Sequence, residues 1–118
     1  IMGMRLAIVG SRRWKGNIED LECLEKELKL NYVSEIVSGG AKGIDTAAEK
    51  IAKKHGITLK VFKPDYDRYG RSAPLQRNTL IVNRADKVVA FVDDESRGTL
   101  DTIKKTKAAG KRLKVVHL

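Results

Sequence analysis

A chain of 118 residues with a net charge of +9 and a pI of about 9.8 is long enough for one domain and too short for two typical ones. Hydrophobic residues make up 42%, an ordinary globular share, and no apolar run approaches the roughly 20 residues of a membrane-spanning helix. The positive balance makes acidic partners such as nucleotides or nucleic acid natural candidates, although lysines between apolar helix positions also serve as a solvated coat.

Ile1-Met2-Gly3 reads as a remnant ahead of a natural start at Met4, so one folded unit is expected over 4–118. Arg5-Leu6-Ala7-Ile8-Val9 is an apolar run ending at Gly10 and predicts a buried strand; it is far too short for a signal peptide core. Asn17 can cap a helix to about Leu30, with Ile18, Leu21, Leu24 and Leu28 on one face. Cys23 lies beside that stripe and is read as packing. It has no partner for an internal disulfide, and no Cys/His cluster points to a metal, so no cofactor is expected and a cytoplasmic location is the simplest reading. Glu35 to Ser38 is a second strand, followed by a helix from about Gly43 to His55 with Ile44, Ala47, Ala48, Ile51 and Ala52 inward. Lys53-Lys54-His55-Gly56 ends that helix with cations near the carbonyls and a glycine after them.

Thr58 to Phe62 is a third strand and Lys63 to Ser72 a polar loop with two tyrosines, Tyr66 and Tyr69, which either flank a base or pin the loop. Ala73 to Asn83 reads as a helix with Pro74 in its first turn and Leu80, Ile81 and Leu75 inward. Asp86 to Val92 is a fourth strand. Ser96 or Thr99 caps a helix ending before Gly110, and Leu113 to Val116 is a fifth strand. Strands alternating with helices predict an α/β fold: a five-stranded, mostly parallel sheet with helices on both faces, in three Rossmann-like layers. Ligands of such sheets bind beyond the carboxyl ends of the strands, where strand order reverses.

The unusual residues cluster after those strand ends. Ser38-Gly39-Gly40-Ala41-Lys42-Gly43-Ile44-Asp45 places three glycines between a strand and a helix, where close backbone approach and the helix dipole favour an anion. Gly10-Ser11-Arg12 and Arg97-Gly98-Thr99 are similar turns. The glycine spacing fits neither the dinucleotide fingerprint nor a P-loop. Ser11 and Arg12 can offer a hydroxyl and a guanidinium to a phosphate, while Arg13 and Lys15 read as solvated. Trp14 either stacks on a base or covers a helix edge. Asp45 is either a dipole-stabilising carboxylate or a partner for a ribose or base, and Arg77 either reaches a phosphate or makes a surface salt bridge. Asp93-Asp94-Glu95 places negative charge before a helix, with a sugar or metal role as the lesser alternative.

These residues resemble a known group. Ile8-Val9-Gly10-Ser11-Arg12, Val37 through Asp45, Arg77-Asn78 through Ile81, and Ala85-Asp86-Lys87-Val88-Val89 are similar to the DNA-processing protein DprA. Arg97-Gly98-Thr99 resembles both DprA and the LOG-type nucleotide phosphoribohydrolases. Together these are the SLOG superfamily, and the small stand-alone YspA-like members look most similar. The resemblance implies a nucleotide or nucleotide-derived ligand on the glycine turns, with Gly10, Ser11, Arg12, Ser38, Gly39, Gly40, Gly43, Asp45, Arg77, Asn78, Arg97, Gly98 and Thr99 as candidate contacts. Where LOG enzymes carry a catalytic glutamate this chain has Thr102, and Asp101 is one residue, about 100° of helix, away. The expectation is therefore a nucleotide-binding sensor or regulatory module. The alternatives are a hydrolase of an N-glycosidic or phosphate bond, using Asp45 or Asp101, and DprA-like single-stranded DNA binding through Lys104, Lys105, Lys107, Lys111, Arg112 and Lys114. A homodimer is expected only by analogy.

Overall fold

A computed structural model describes residues 3–118; Ile1 and Met2, on which the remnant reading mostly falls, lie outside the described residues. The strands are β1 (Met4–Gly10), β2 (Val33–Ser38), β3 (Thr58–Val61), β4 (Lys87–Val92) and β5 (Arg112–His117). The helices are α1 (Ile18–Leu30), α2 (Ile44–His55), a short α3 (Tyr66–Tyr69), α4 (Ala73–Arg84) and α5 (Arg97–Ala108). All strands are parallel, in the order β3-β2-β1-β4-β5. Strand order thus reverses beside β1, and the chain places β2 on one side of it and β4 on the other.

The central strands are buried on both faces, which is why β1 and β4 read as nearly continuous apolar runs. The edge strands β3 and β5 alternate between inward and exposed residues instead. One core joins Leu6, Ile8, Ile36, Val89 and Phe91 of the sheet to Leu24 of α1 and to Ile44, Ala48 and Ile51 of α2. The other joins Ala7, Val9, Val37, Val88 and Ala90 to Ile81 of α4 and Ile103 of α5. Three layers result. Among the described residues, no helix is long and apolar enough to cross a membrane.

Several sequence expectations need correction. Ile18 is the first residue of α1 and is 70% exposed, so the packed stripe begins at Leu21. Helix α4 turns Ala73, Asn78, Ile81 and Val82 inward and leaves Leu75 and Leu80 exposed. The buried arc of α4 is centred on Asn78, Ile81 and Val82, and Leu75 and Leu80 fall on its solvent side. The Lys63 to Ser72 stretch is not a plain loop: Asp65 caps α3 by accepting the Arg68 N–H, and a 3-10 turn follows over Gly70–Ser72. Ser96 stands at the N-cap of α5, yet its side chain turns to Asp93 instead of the helix.

Charges at the amino ends of the strands are matched. Glu35 takes a two-pronged bond from Arg84 at 2.8 Å on each oxygen, Glu27 meets Lys87 at 2.7 Å, and Arg5 pairs with Asp86. Lys111 donates to the carbonyls of Val82, Asn83 and Ala85, closing the end of α4 where no glycine cap exists. At the opposite end of β1, Gly10 lies against α2 and β4. A Cβ there would sit 2.6 Å from Ile44 Cγ2 and 2.8 Å from the Phe91 carbonyl oxygen. Gly10→Ala is therefore expected to destabilise the fold by about 1–3 kcal/mol, through overpacking at a junction with no room. Chemical denaturation checks this, and an unchanged midpoint would show that α2 yields easily.

Candidate functional site

A cleft of about 580 Å³ opens at the carboxyl ends of β1, β2 and β4, against the reversal point of the sheet. Its walls come from five segments: the β1–α1 turn, the β2–α2 turn, the stretch from β3 into α3, the start of α4 and the start of α5.

The first turn is held from within. The Ser11 N–H donates to the Phe91 carbonyl, its hydroxyl donates to Asp93 Oδ2 at 2.8 Å, and its oxygen accepts the Arg13 N–H. The hydroxyl proton that the sequence reading offered to a phosphate is thus already committed. Asp93 also accepts from the Ser96 hydroxyl at 2.7 Å, from Arg13 Nη2 at 2.7 Å and from the Glu95 N–H at 3.0 Å. These bonds, that of Ser96 foremost and then those of Ser11 and Arg13, hold its carboxyl far below the usual carboxylate range. Arg13 is not simply solvated, since it also meets Glu95 at 3.2 Å. Trp14 covers the helix edge: its Nε1–H donates to Asp20 and its ring packs on the first core. Arg12 extends into solvent at the rim.

The second turn contributes Gly39, Gly40 and Ala41 to the wall. Ser38 and Gly43 do not line the cleft. Ser38 is fully buried and accepts the Gly40 N–H, while Gly43 has φ +77° and faces the first turn, where a Cβ would lie 2.7 Å from the Ser11 carbonyl oxygen. Asp45 does reach the cleft. It is 5% exposed, and its Oδ2 accepts the Ala41 N–H at 2.7 Å. Burial pushes its carboxyl above the ordinary value. Arg77 crosses from α4 to donate from Nη1 to the Gly39 carbonyl at 2.6 Å and from Nε to Asn78 Oδ1 at 3.0 Å. Burial lowers its affinity for a proton, an effect that the nearby Asp45 opposes. No ion pair forms between the two.

The third wall is the contact of α4 with α5. The buried Asn78 donates to the Gly98 carbonyl and to Asp101, each at 3.1 Å. Thr99 and Thr102 are buried and face the cleft, and the Thr102 hydroxyl donates to the Gly98 carbonyl. Asp101 points elsewhere and pairs with Lys105 at 2.8 Å, so no acid takes the place that Thr102 occupies. A Cβ on Gly98 would meet nothing within 4 Å, so no packing in the protein requires glycine there. The N–H groups of Gly98 and Thr99 have no hydrogen-bond partner among the described residues, as expected for the first turn of a helix. Arg97 stands exposed at the rim.

Eleven of the thirteen sequence-selected residues therefore line one cleft. Pro64, Tyr66 and Pro74 also line it without having been selected. Both tyrosines fit the base-or-loop reading of the sequence, and of the two only Tyr66 lines the cleft.

Residues 4–69 match the YAcAr family, the YspA, cpYpsA-related SLOG family. The chain belongs to this family. The matched span runs from β1 through α3 and holds the first two turns of the cleft, whereas α4, β4, α5 and β5 lie beyond it. No curated protein matches the chain.

The Asp93 network carries a pH signature. A carboxyl whose folded pKa lies below its unfolded value stabilises the fold above the unfolded pKa of about 3.9, and that contribution is lost as pH falls through the folded value. Asp93→Asn is expected to lower the Tm at pH 7 and to reduce the drop in Tm between pH 7 and pH 3. Thermal melts across that range decide it: parallel curves for the two proteins would remove Asp93 from the acid response.

Proposed function

We propose that this cleft binds a nucleotide or nucleotide-derived ligand through its phosphate, and that the protein acts as a sensor or regulatory module. The observation that carries this reading is a contrast in charge. Arg5, Arg13 and Arg84 have carboxylate partners; of the six arginines with none among the described residues, three, Arg12, Arg77 and Arg97, gather on the walls and rim of one cleft. A half-buried guanidinium held by two neutral acceptors, as Arg77 is, keeps its charge available to an anion. The starts of α2 and α5 add backbone N–H groups and the favourable ends of their dipoles. Asp45 has one oxygen engaged by Ala41, and the other can accept a ligand hydroxyl such as that of a ribose. Membership in the SLOG family supports a nucleotide-related function at this coarse level.

Thr102 in place of a glutamate argues against LOG-type hydrolysis, because a threonine neither shuttles a proton near neutral pH nor offsets a developing positive charge. Asp45 keeps a hydrolase as the second reading, since burial already favours its protonated form. The nucleic-acid alternative loses support. Lys105 is engaged by Asp101 and the Leu75 carbonyl, Lys111 caps α4, and Lys114 lies 3.7 Å from Glu27, so half of the six basic residues behind it work within the fold. The lone cysteine, without a disulfide partner, supports a cytoplasmic location.

A thermal-shift screen against mono-, di- and triphosphates, ADP-ribose, NAD and short single-stranded DNA tests the reading. A ligand at 100 times its Kd adds about 2.7 kcal/mol of stability. Arg77→Ala is expected to weaken a phosphorylated ligand about ten- to 150-fold, the equivalent of about 1.5–3 kcal/mol for a charge-assisted bond; unchanged affinity in a folded variant removes Arg77 from the site. Asp45→Asn should act in two directions. It retains an acceptor for the Ala41 N–H and removes a charge that burial disfavours, so the empty protein should melt higher at neutral pH. The hydroxyl-bearing ligand should bind more weakly, and a lower Tm together with unchanged affinity would contradict both halves. Steady turnover of a bound nucleotide that Asp45→Asn abolishes would move the assignment to the hydrolase.

A further inference from the structure

One wall of the cleft is apolar and unexplained by folding. Pro64, Tyr66 and Pro74 line it, beside Arg77. Tyr66 is 61% exposed, and its hydroxyl has no hydrogen-bond partner among the described residues. No residue of α3 or of the following 3-10 turn is buried. The hydrogen bonds of this segment also close on themselves: the Arg68 N–H donates to Asp65 Oδ1, the Tyr69 N–H to the Asp65 carbonyl, and the Ser72 hydroxyl to the Tyr69 carbonyl. Tyr69 behaves differently, since it is half-buried and carries the Arg68 guanidinium 5.2 Å from its ring centre. The protein thus exposes one large aromatic side chain at a cleft, with no part in the core.

Tyr66 and Arg77 line the same cleft. An aromatic wall next to a phosphate-binding guanidinium matches the layout of a nucleotide, in which a flat base and a phosphate are joined by a sugar. The same cleft offers Asp45, an acceptor suited to that sugar.

We propose that Tyr66, flanked by Pro64 and Pro74, stacks on the nucleobase of the ligand and makes the site selective for nucleotides over sugar phosphates and bare polyphosphates. This inference rests on the phosphate-binding reading of the same cleft. Base stacking on an aromatic side chain tolerates any base and is worth on the order of tenfold or more in affinity. The wall therefore sets the class of ligand without choosing the base.

The probes are the four ribonucleoside 5′-monophosphates and ribose 5-phosphate, titrated by calorimetry into the wild-type chain, Tyr66→Leu and Tyr66→Phe. The expected result is a preference of about tenfold or more for the nucleotides over ribose 5-phosphate in the wild type. Tyr66→Leu should erase that preference while leaving ribose 5-phosphate binding unchanged, and Tyr66→Phe should keep it. Equal binding of nucleotides and ribose 5-phosphate by the wild type overturns the proposal, as does a preference that survives Tyr66→Leu. Either result leaves the phosphate reading standing. Failure of every probe to bind the wild type overturns both. Because Tyr66 is exposed, the Tm of the empty variants should match the wild type, which separates lost stacking from a damaged fold.

Discussion

The carboxylate of Asp93 ties together the two turns on which the cleft depends. Strands β1 and β4 are neighbours in the sheet, with Gly10 beside Phe91, but the helices that follow them leave toward opposite faces. Their connecting turns would splay apart without a tie. Asp93 supplies one by accepting from Ser11 and Arg13 on one turn and from Ser96 and Glu95 on the other. A carboxylate suits this role because it has several lone-pair positions and no proton of its own to place at neutral pH. Through it, Arg12 and Arg97 stand on either side of one opening.

Close approach is the second requirement. Gly10 lets α2 and the end of β4 meet β1, and Gly43 lets the start of α2 reach the carbonyls of Ser11 and Arg12. Neither glycine needs a ligand to explain it. Gly98 is different, for its missing side chain relieves no contact within the protein. The three glycine turns that look alike in sequence therefore have separate physical causes: steric necessity for two, and open space for the third.

Fold class and the succession of elements along the chain were legible because the β and α periods alternate cleanly and the central strands are apolar on both faces; the order of strands within the sheet was not. Edge positions were less legible. Leu75 and Leu80 satisfy a loose helical pattern, but the inward face of α4 is set by Asn78, whose bonds to Gly98 and Asp101 come from a helix 20 residues further on. Ser11 has the composition of a phosphate ligand, yet its proton goes to Asp93, a partner 82 positions away in the chain. Pairings at such distances leave no local trace in sequence. Ser38 shows the same limit on a smaller scale: it adjoins a glycine-rich turn, but it is the last residue of a strand buried on both faces. The grouping of Arg12, Arg77 and Arg97 was visible residue by residue, whereas the lack of carboxylates beside them emerged only from the folded arrangement.

The seam between β1 and β4 joins distant parts of the chain, with Leu6 beside Lys87 and Gly10 beside Phe91. Everything from β1 to β3 assembles through successive crossovers, but the seam closes only when β4 docks on the far side of β1, across a large loop whose closure costs entropy. The cleft straddles that seam. It consequently does not exist in any partly folded form lacking β4, and a molecule seated in it touches both halves at once. Such an occupant works as a clasp: its binding energy is drawn on whenever the halves part, so occupancy would slow their separation and shield the carboxyl-terminal half from proteolysis.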